Sequence, residues 1–414
     1  MGYRTIKGTH DILPVDTDIW QYLEKIIHRV CSQYGYREIR TPIFEDTGLF
    51  NRSVGEDTDI VTKEMYTWED RSGGQLTLRP ELTAPVVRSF IQHNLGALSS
   101  LQKLYYLGPL FRRERPQKGR QRQFHQFGVE AFGSEHPEQD VEVIALAHHI
   151  FDQLEIDNIT LKLNSIGSGD CRKNYRNALQ EFLLPYQNDL SETSQQRLES
   201  NPLRILDTKI PHEKELIQNA PSILNFLTEA DIDHFESVQS LLRGLNITFE
   251  LDETLVRGLD YYTRTTFEFV SGNLGAQDAI CGGGRYDNLV ETLGGKPTPA
   301  IGFAAGMERI LLSMVTNEQM DKQESIYLIN LEDTAVVKAM QMAQELRSNG
   351  ITVYMDTKHR SLKSQMRDAN RLGSKKVIIL GEEELKNDRV KVKDLLNGEQ
   401  SEVEIKGLVK YFTI

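Results

Sequence analysis

Residues 104–133 read LYYLGPLFRRERPQKGRQRQFHQFGVEAFG, and the fold of the chain turns on them. The first part is an apolar run ending at Phe111 and the last part covers 123–132; both have the composition of strands. Between them lie Arg112, Arg113, Arg115, Lys118, Arg120 and Arg122, against a single acid, Glu114. Two strands joined in this way make a long antiparallel hairpin with an arginine-rich tip. Guanidinium groups stay charged at any working pH and grip phosphate through paired hydrogen bonds. On charge alone, such a tip reads first as a solvated hairpin end. The flanking strand argues for more, because Phe124, Gln126 and Glu130 alternate onto one face. An aromatic ring, an amide and a carboxylate together make a floor for a small molecule.

Upstream of the hairpin, residues 75–87 read QLTLRPELTAPVV. Leu76 and Leu78 alternate as in a strand, Pro80 breaks it, and Glu81 and Thr83 fall at the strand end, a place where ligand-binding groups are often displayed. A glutamate there also suits a helix start, which the helix dipole favours. Earlier still, Ile19, Tyr22, Leu23, Ile26, Ile27 and Val30 recur at helical spacing. Asp16 or Asp18 is the expected cap and Gly35 the stop. A strand over 36–41 should follow, ended by Pro42, which cannot donate to a ladder and suits an edge or interface.

Downstream, a helix is expected over 139–154 and a short strand over 161–163. Residues 170–245 then turn polar and helix-rich, with caps at Ser191 and Asp231 and punctuation by Pro185, Pro202, Pro211 and Pro221. They read as an all-helical insertion. Residues 255–270, LVRGLDYYTRTTFEFV, give a turn at Gly258 and a strand over 265–270, and carry Arg257, Tyr261 and Tyr262. Tyrosine pairs are more often core or interface residues than binding residues. Residues 279–286, AICGGGRY, give a strand and a glycine-rich turn that lets a ligand or backbone approach closely. No phosphate-binding GxxxxGK[ST] loop exists. A strand from 300 then enters an apolar helix beginning near Arg309.

Residues 316–324 read as a linker. After them come a strand over 326–331, a helix over 334–348, a strand over 351–355, a helix over 361–372, a strand over 376–380 and a hairpin turning at Asn397-Gly398. This alternation is that of a compact α/β domain over 325–414. Its residues 358–376 hold seven Lys/Arg against Asp368, a strip that suits phosphate or a solvated helix face alike.

The composition narrows the classes. With 414 residues, 39% apolar and 26% charged, the chain has the makeup of an ordinary globular protein of two or three domains. A net charge of −12 argues against non-specific nucleic-acid binding, though not against local basic patches. Cys31, Cys171 and Cys281 are far apart and form no CxxC, and no HExxH occurs, so neither a disulfide framework nor a zinc site is indicated. No apolar run is long enough to span a membrane, and no signal-peptide core is visible. A reducing cytoplasm is the expected compartment.

Residues 104–133 resemble motif 2 of the class II aminoacyl-tRNA synthetases, and the wording RPQKGR followed by RQFHQ is similar to that of histidyl-tRNA synthetases. The lead-in over 7–14, KGTHDILP, resembles the opening of the same family. The helix, strand and Pro42 are similar to motif 1, the dimer interface, and 300–309 resemble motif 3 with Arg309 in the nucleotide role. RPE-x-T resembles the segment that holds the amino group of histidine. Leu82 and Pro85 depart from the small residues many bacterial relatives carry there, which bears on backbone more than on side chains. The piece 201–209, NPLRILDTK, is similar to part of the family's insertion domain, and 255–270 match a signature particular to histidyl-tRNA synthetases.

That resemblance implies an α+β architecture: a class II antiparallel-sheet catalytic domain over 1–320, a helical insertion at about 170–245, and a C-terminal α/β anticodon-binding domain over 325–414. It implies a cytoplasmic homodimer that activates L-histidine with ATP and Mg²⁺ and passes it to the 3′ end of tRNA(His). Arg112 and Arg257 would act at the α-phosphate. Glu81, Thr83 and Gln126 would hold the α-ammonium, and Glu130 with Tyr262, beside Tyr261, the imidazole. Arg112, Glu114, Arg120, Phe124 and Arg309 would bind ATP, and Arg115, Gln117, Lys118 and Arg122 would meet the tRNA acceptor end.

Two other classes compete. Synthetase-like regulatory subunits of histidine biosynthesis typically lack the anticodon domain and degrade the Arg257 segment; this chain keeps both. A non-catalytic nucleic-acid module fits poorly with glutamates and tyrosines set among the arginines.

Overall fold

Strands Gln102–Phe111 and Gln123–Phe132 pair antiparallel along their full length, Gln102 opposite Phe132 and Phe111 opposite Gln123. The computed structural model describes residues 2–55, 58–117, 119–272, 274, 279–314 and 325–413. Lys118 and the expected linker over 316–324 lie outside the described residues. The hairpin is the start of an eight-stranded sheet. Beyond Gln123–Phe132 come Ala300–Gly306, Ala279–Arg285, Thr263–Ser271 and Ile159–Ser165, each antiparallel to the last. Two-residue strands, Arg37–Glu38 and Glu250–Leu251, close the edges in parallel.

Strand alternation gives the sheet two unlike faces. Phe127, Val129, Ile301, Phe303, Phe267 and Phe269 point into a core shared with helices Pro14–Gln33 and Pro137–Gln153. On the first helix Leu23, Ile26, Ile27, Val30 and Cys31 are buried at the expected spacing, each apolar side chain contributing about 1.5–3 kcal/mol by leaving water. The opposite face carries Gln126 and Glu130 and, in the strands beside them, Gly302, Gly306, Gly282 and Gly284. With no side chains at those glycines, that face is left open.

Several expectations give way. The first helix starts at Pro14 without a side-chain cap, because proline at the first position needs no partner for an absent N–H. The strand after Gly35 is two residues, with Ile39 adding one more hydrogen bond to Tyr105. The glycines of 279–286 lie within strand Ala279–Arg285 and not in a turn, since both flanking strands pair with it. Strand Gln75–Leu78 joins a separate three-stranded sheet with Phe44–Asp46 and Tyr66–Glu69.

Within 170–245 every regular element is helical, from Asp170–Leu183 to Glu229–Gly244, around Tyr175, Leu179, Leu183, Leu198 and Ile205. Ser191 caps its helix as expected. Asp231 does not cap: Thr228 does, and Asp231 is buried, accepting from Ser168, Thr228 and Arg264. Another buried cluster ties the last insertion helix to the sheet. Asp140 receives His234 at 2.8 Å and Arg285 at 2.7 Å, and Arg285, fully buried, also reaches Asp287.

The chain divides into two compact units, 1–316 and 317–414. The second has its own five-stranded sheet: Thr352–Met355, Ser325–Asn330 and Lys376–Leu380 run parallel, and Arg389–Asp394 and Gln400–Glu404 complete it antiparallel. Helices Val336–Ser348 and Leu362–Arg371 connect the parallel strands. No helix among the described residues is long and apolar enough to cross a membrane.

Candidate active site

The open face of the large sheet floors a cavity of about 360 Å³. Glu81, Thr83, Arg112, Glu114, Arg120, Phe124, Gln126, Glu130, Arg257, Tyr261, Tyr262 and Arg309 all line it. Arg115, Gln117 and Arg122 do not; Arg115 and Gln117 are exposed on the outer hairpin loop, and Arg122 takes its backbone bonds with Gly8 and Arg112.

Glu130 stands at the centre of one half. Its carboxylate accepts from Thr83 Oγ1 at 2.8 Å, Tyr106 Oη at 3.1 Å and the Tyr286 hydroxyl. It can lie there because its cross-strand neighbour is Gly302: a Cβ at that position would come 1.9 Å from Oε2. Burial pushes the Glu130 pKa up to about 8, against the pull of the three hydroxyls. Glu81 is buried too and its pKa is raised by burial, opposed by the amides of Ala84 and Thr83. Those amides donate to its carboxylate at 2.9 and 2.7 Å, so Glu81 also closes the start of helix Thr83–Gln92. The helix-start reading of this glutamate is thus realised, and its side chain also lines the cavity. The rings of Tyr261 and Tyr262 pack tilted at 47° with centroids 4.7 Å apart, and burial raises both phenols above their ordinary value.

Guanidinium groups make the other half. Arg112 donates from Nε to the Pro80 carbonyl at 2.9 Å and lies 5.2 Å from the Phe124 ring centroid. Glu114 sits between Arg120 at 3.3 Å and Arg112 at 3.9 Å. Arg309 is held by the carbonyls of Gly119 and Ala279, at 3.1 and 2.8 Å. Burial, followed by the charge of Arg120, lowers its pKa. Arg257 lies flat on strand Ala279–Arg285 over Gly282, where a Cβ would be 2.1 Å from Nη2. It pairs with Glu268, and among the described residues its buried Nε has no hydrogen-bond partner. Burial works against the Arg257 charge, but the Glu268 carboxylate more than offsets it and raises the pKa. Fixed positive charge thus faces buried carboxylates across one cavity.

Three residues of this arrangement escape a reading of the sequence: Tyr106, Tyr286 and Glu268. Glu268 has a visible signal, a charge between Phe267 and Phe269 on the strand face opposite theirs. The tyrosines have none, since nothing local tells a core phenol from one aimed at a distant carboxylate.

In the second unit the basic strip is less free than its composition suggests. Arg360 is engaged by Asp356 and Asp368, Arg371 bonds Asp368 at 2.7 Å, and Lys376 lies 5.0 Å from the Tyr411 ring centroid. Lys358, Lys363 and Arg367 remain exposed.

A mainly antiparallel sheet whose open face sets motif arginines against buried glutamates is the catalytic fold of the class II aminoacyl-tRNA synthetases. The family model for histidyl-tRNA synthetase matches residues 8–310, and that for an anticodon-binding domain matches 325–413. The chain belongs to the histidyl-tRNA synthetase family, and so is an aminoacyl-tRNA synthetase, a ligase of protein biosynthesis. It is 50% identical to the histidine–tRNA ligase of Crocosphaera subtropica over 96% of this chain and 92% of that one. With the histidine–tRNA ligase of Syntrophotalea carbinolica it shares 47% identity over 99% and 97%. The crystal structure of the apo histidyl-tRNA synthetase of S. aureus aligns over 100% of both chains, at 38% identity and a TM-score of 0.85.

Proposed function

We propose that this protein joins histidine to tRNA(His) in two steps, forming histidyl-adenylate and pyrophosphate from histidine and ATP, then transferring histidine to the 3′ end of the tRNA with release of AMP. The observation that carries the reading is one cavity in which hydroxyl-ringed Glu130 and amide-bonded Glu81 face fixed guanidinium groups. In the first step an oxygen of the histidine carboxylate bonds to the α-phosphorus, and the bond from that phosphorus to the pyrophosphate oxygen breaks. The nucleophile is already ionised near neutral pH, so no general base is needed. What the protein must supply is in-line placement and charge on the phosphate, in groups that need no rearrangement.

Arg112 and Arg257 would hold the α-phosphate from two sides. The Nε of Arg257, buried and without an acceptor among the described residues, supports this role. Glu114, Arg120 and Arg309 would serve the remainder of ATP, with adenine between Phe124 and Arg309. Glu81, Thr83 and Gln126 would take the α-ammonium. Glu130 and Tyr262, beside Tyr261, would take the imidazole, rejecting side chains that leave these buried groups unpaired. Arg115, Gln117, Lys118 and Arg122 of the hairpin loop would meet the acceptor end, and the second unit the anticodon.

Mg²⁺ would arrive with ATP, held by phosphate oxygens and water, with Glu114 or Glu268 as the carboxylates at hand. That mode fits a site where, among the described residues, no three ligating side chains converge. When bound, the ion neutralises charge on the outer phosphates. Class II sites are buttressed across a dimer interface, and we place that interface at the segment around Pro42.

Histidine-dependent exchange of labelled pyrophosphate into ATP tests the first step, and acylation of tRNA(His) the second. Exchange without dependence on histidine, or none at all in folded protein, would overturn the reading.

A further inference from the structure

Residues 257–262 carry Arg257, Tyr261 and Tyr262 yet precede strand Thr263–Ser271, so the strand ladder does not hold them. The helical insertion holds them instead. Arg172, on helix Asp170–Leu183, donates from Nη1 to the carbonyls of Asp260 at 2.5 Å and Tyr262 at 3.2 Å. Its Nη2 lies 3.6 Å from the Asp260 carboxylate. Asn201 donates from Nδ2 to Asp260 Oδ1 at 2.8 Å, and Arg204 donates to the Gly258 carbonyl. Tyr262 is itself buried in the apolar cluster of the insertion, with Tyr175 and Leu203.

From the other side the same carboxylate is backed by the main body. The Asp260 amide donates to the Val54 carbonyl at 3.4 Å, and a Cβ on Gly55 would come 2.7 Å from Oδ2. Arg197 of the insertion makes a second tie, to Asp59 at 3.1 Å, one residue before Ile60 of the cavity wall. Asp260, Asn201 and Arg172 are absent from that wall. Their bonds therefore act on the site only through the segment they hold.

We propose that Asp260 is a positioning residue, through which Asn201 and Arg172 of the insertion set where Tyr262 and Arg257 stand in the cavity. Coupling of this kind is reciprocal: a displacement of the insertion weakens histidine binding, and histidine binding steadies the insertion. The inference rests on the histidine-binding role given above to Tyr262.

The test uses the full chain in pyrophosphate exchange. Asn201→Ala removes one donor and should raise the histidine KM about five- to tenfold, the size of a lost contact between neighbouring polar groups. Asn201→Asp sets two carboxylates together and should raise it further. The reversed pair, Asn201→Asp with Asp260→Asn, should bring the KM most of the way back. A merely structural role would shift the unfolding midpoint of each variant and leave the histidine KM of the folded protein alone, with no recovery in the reversed pair; that result overturns the proposal. Tyr262→Phe separates the two levels. Raised histidine KM there, with unchanged KM in the Asn201 variants, refutes the positioning role alone; unchanged KM in Tyr262→Phe refutes the assignment of the histidine site, and the positioning role falls with it.

Discussion

Replacing Glu130 by glutamine should change how the stability of this protein depends on pH. Glu130 is 1% exposed, and burial raises its pKa from 4.5 to about 8. In the unfolded chain the group titrates near its ordinary value. Between pH 4.5 and about 8 the folded protein therefore keeps a proton that the unfolded chain has released. The stability this proton binding supplies is fully present below the unfolded pKa and is lost as pH rises through the folded one. The slope across the window is about 1.4 kcal/mol per pH unit. Glu130→Gln has nearly the same shape, still bonds hydroxyls and cannot titrate. Without histidine, the unfolding free energy of the wild type relative to the variant should fall by about 3 kcal/mol from about pH 5 to about pH 7. Urea unfolding of both proteins at each pH, with unchanged denaturant slopes, reads this directly. A wild-type-minus-variant difference that stays flat refutes the argument that burial keeps Glu130 protonated. The same variant should raise the histidine KM about two- to tenfold, the worth of one hydrogen bond between neutral groups.

Arg257→Ala should leave histidine binding largely intact and lower kcat of adenylate formation by about 10²-fold or more, because its guanidinium acts on charge at the α-phosphate; unchanged kcat in pre-steady-state assays removes it from the reaction. Deleting residues from about 324 onward should spare pyrophosphate exchange, since the cavity lies wholly within the first unit. The deletion should weaken tRNA binding and make log affinity against log salt shallower by about 0.7–0.9 per phosphate contact removed. Equal tRNA KM and equal salt slope would assign the second unit another task. Sedimentation at micromolar concentration should give a dimer, and introducing a charge near Pro42, as in Ile43→Asp, should shift it toward monomer, Ile43 being 45% exposed in the single chain.

Much of this protein was legible in the order of its residues. The second hairpin strand runs over 123–132, where alternation places Phe124, Gln126 and Glu130 on one face. The helical insertion, and the alternation of strand and helix after residue 325, follow from local periodicity and punctuation. Such features are settled within a few residues, by pleat, helical repeat and the backbone demands of proline and glycine. Tertiary structure alone decided the rest. It made the run of glycines at 282–284 a strand floor, because Arg257 and Tyr262 come from elsewhere to lie against Gly282 and Gly284. Asp231 became a buried hub and Arg360 a doubly paired charge, through partners such as Arg264 and Asp368 that the fold brings near. The proton on Glu130 has the same origin. A carboxylate's charge state depends on the water it loses and the dipoles it meets, and Thr83, Tyr106 and Tyr286 reach it from three separate stretches of the chain.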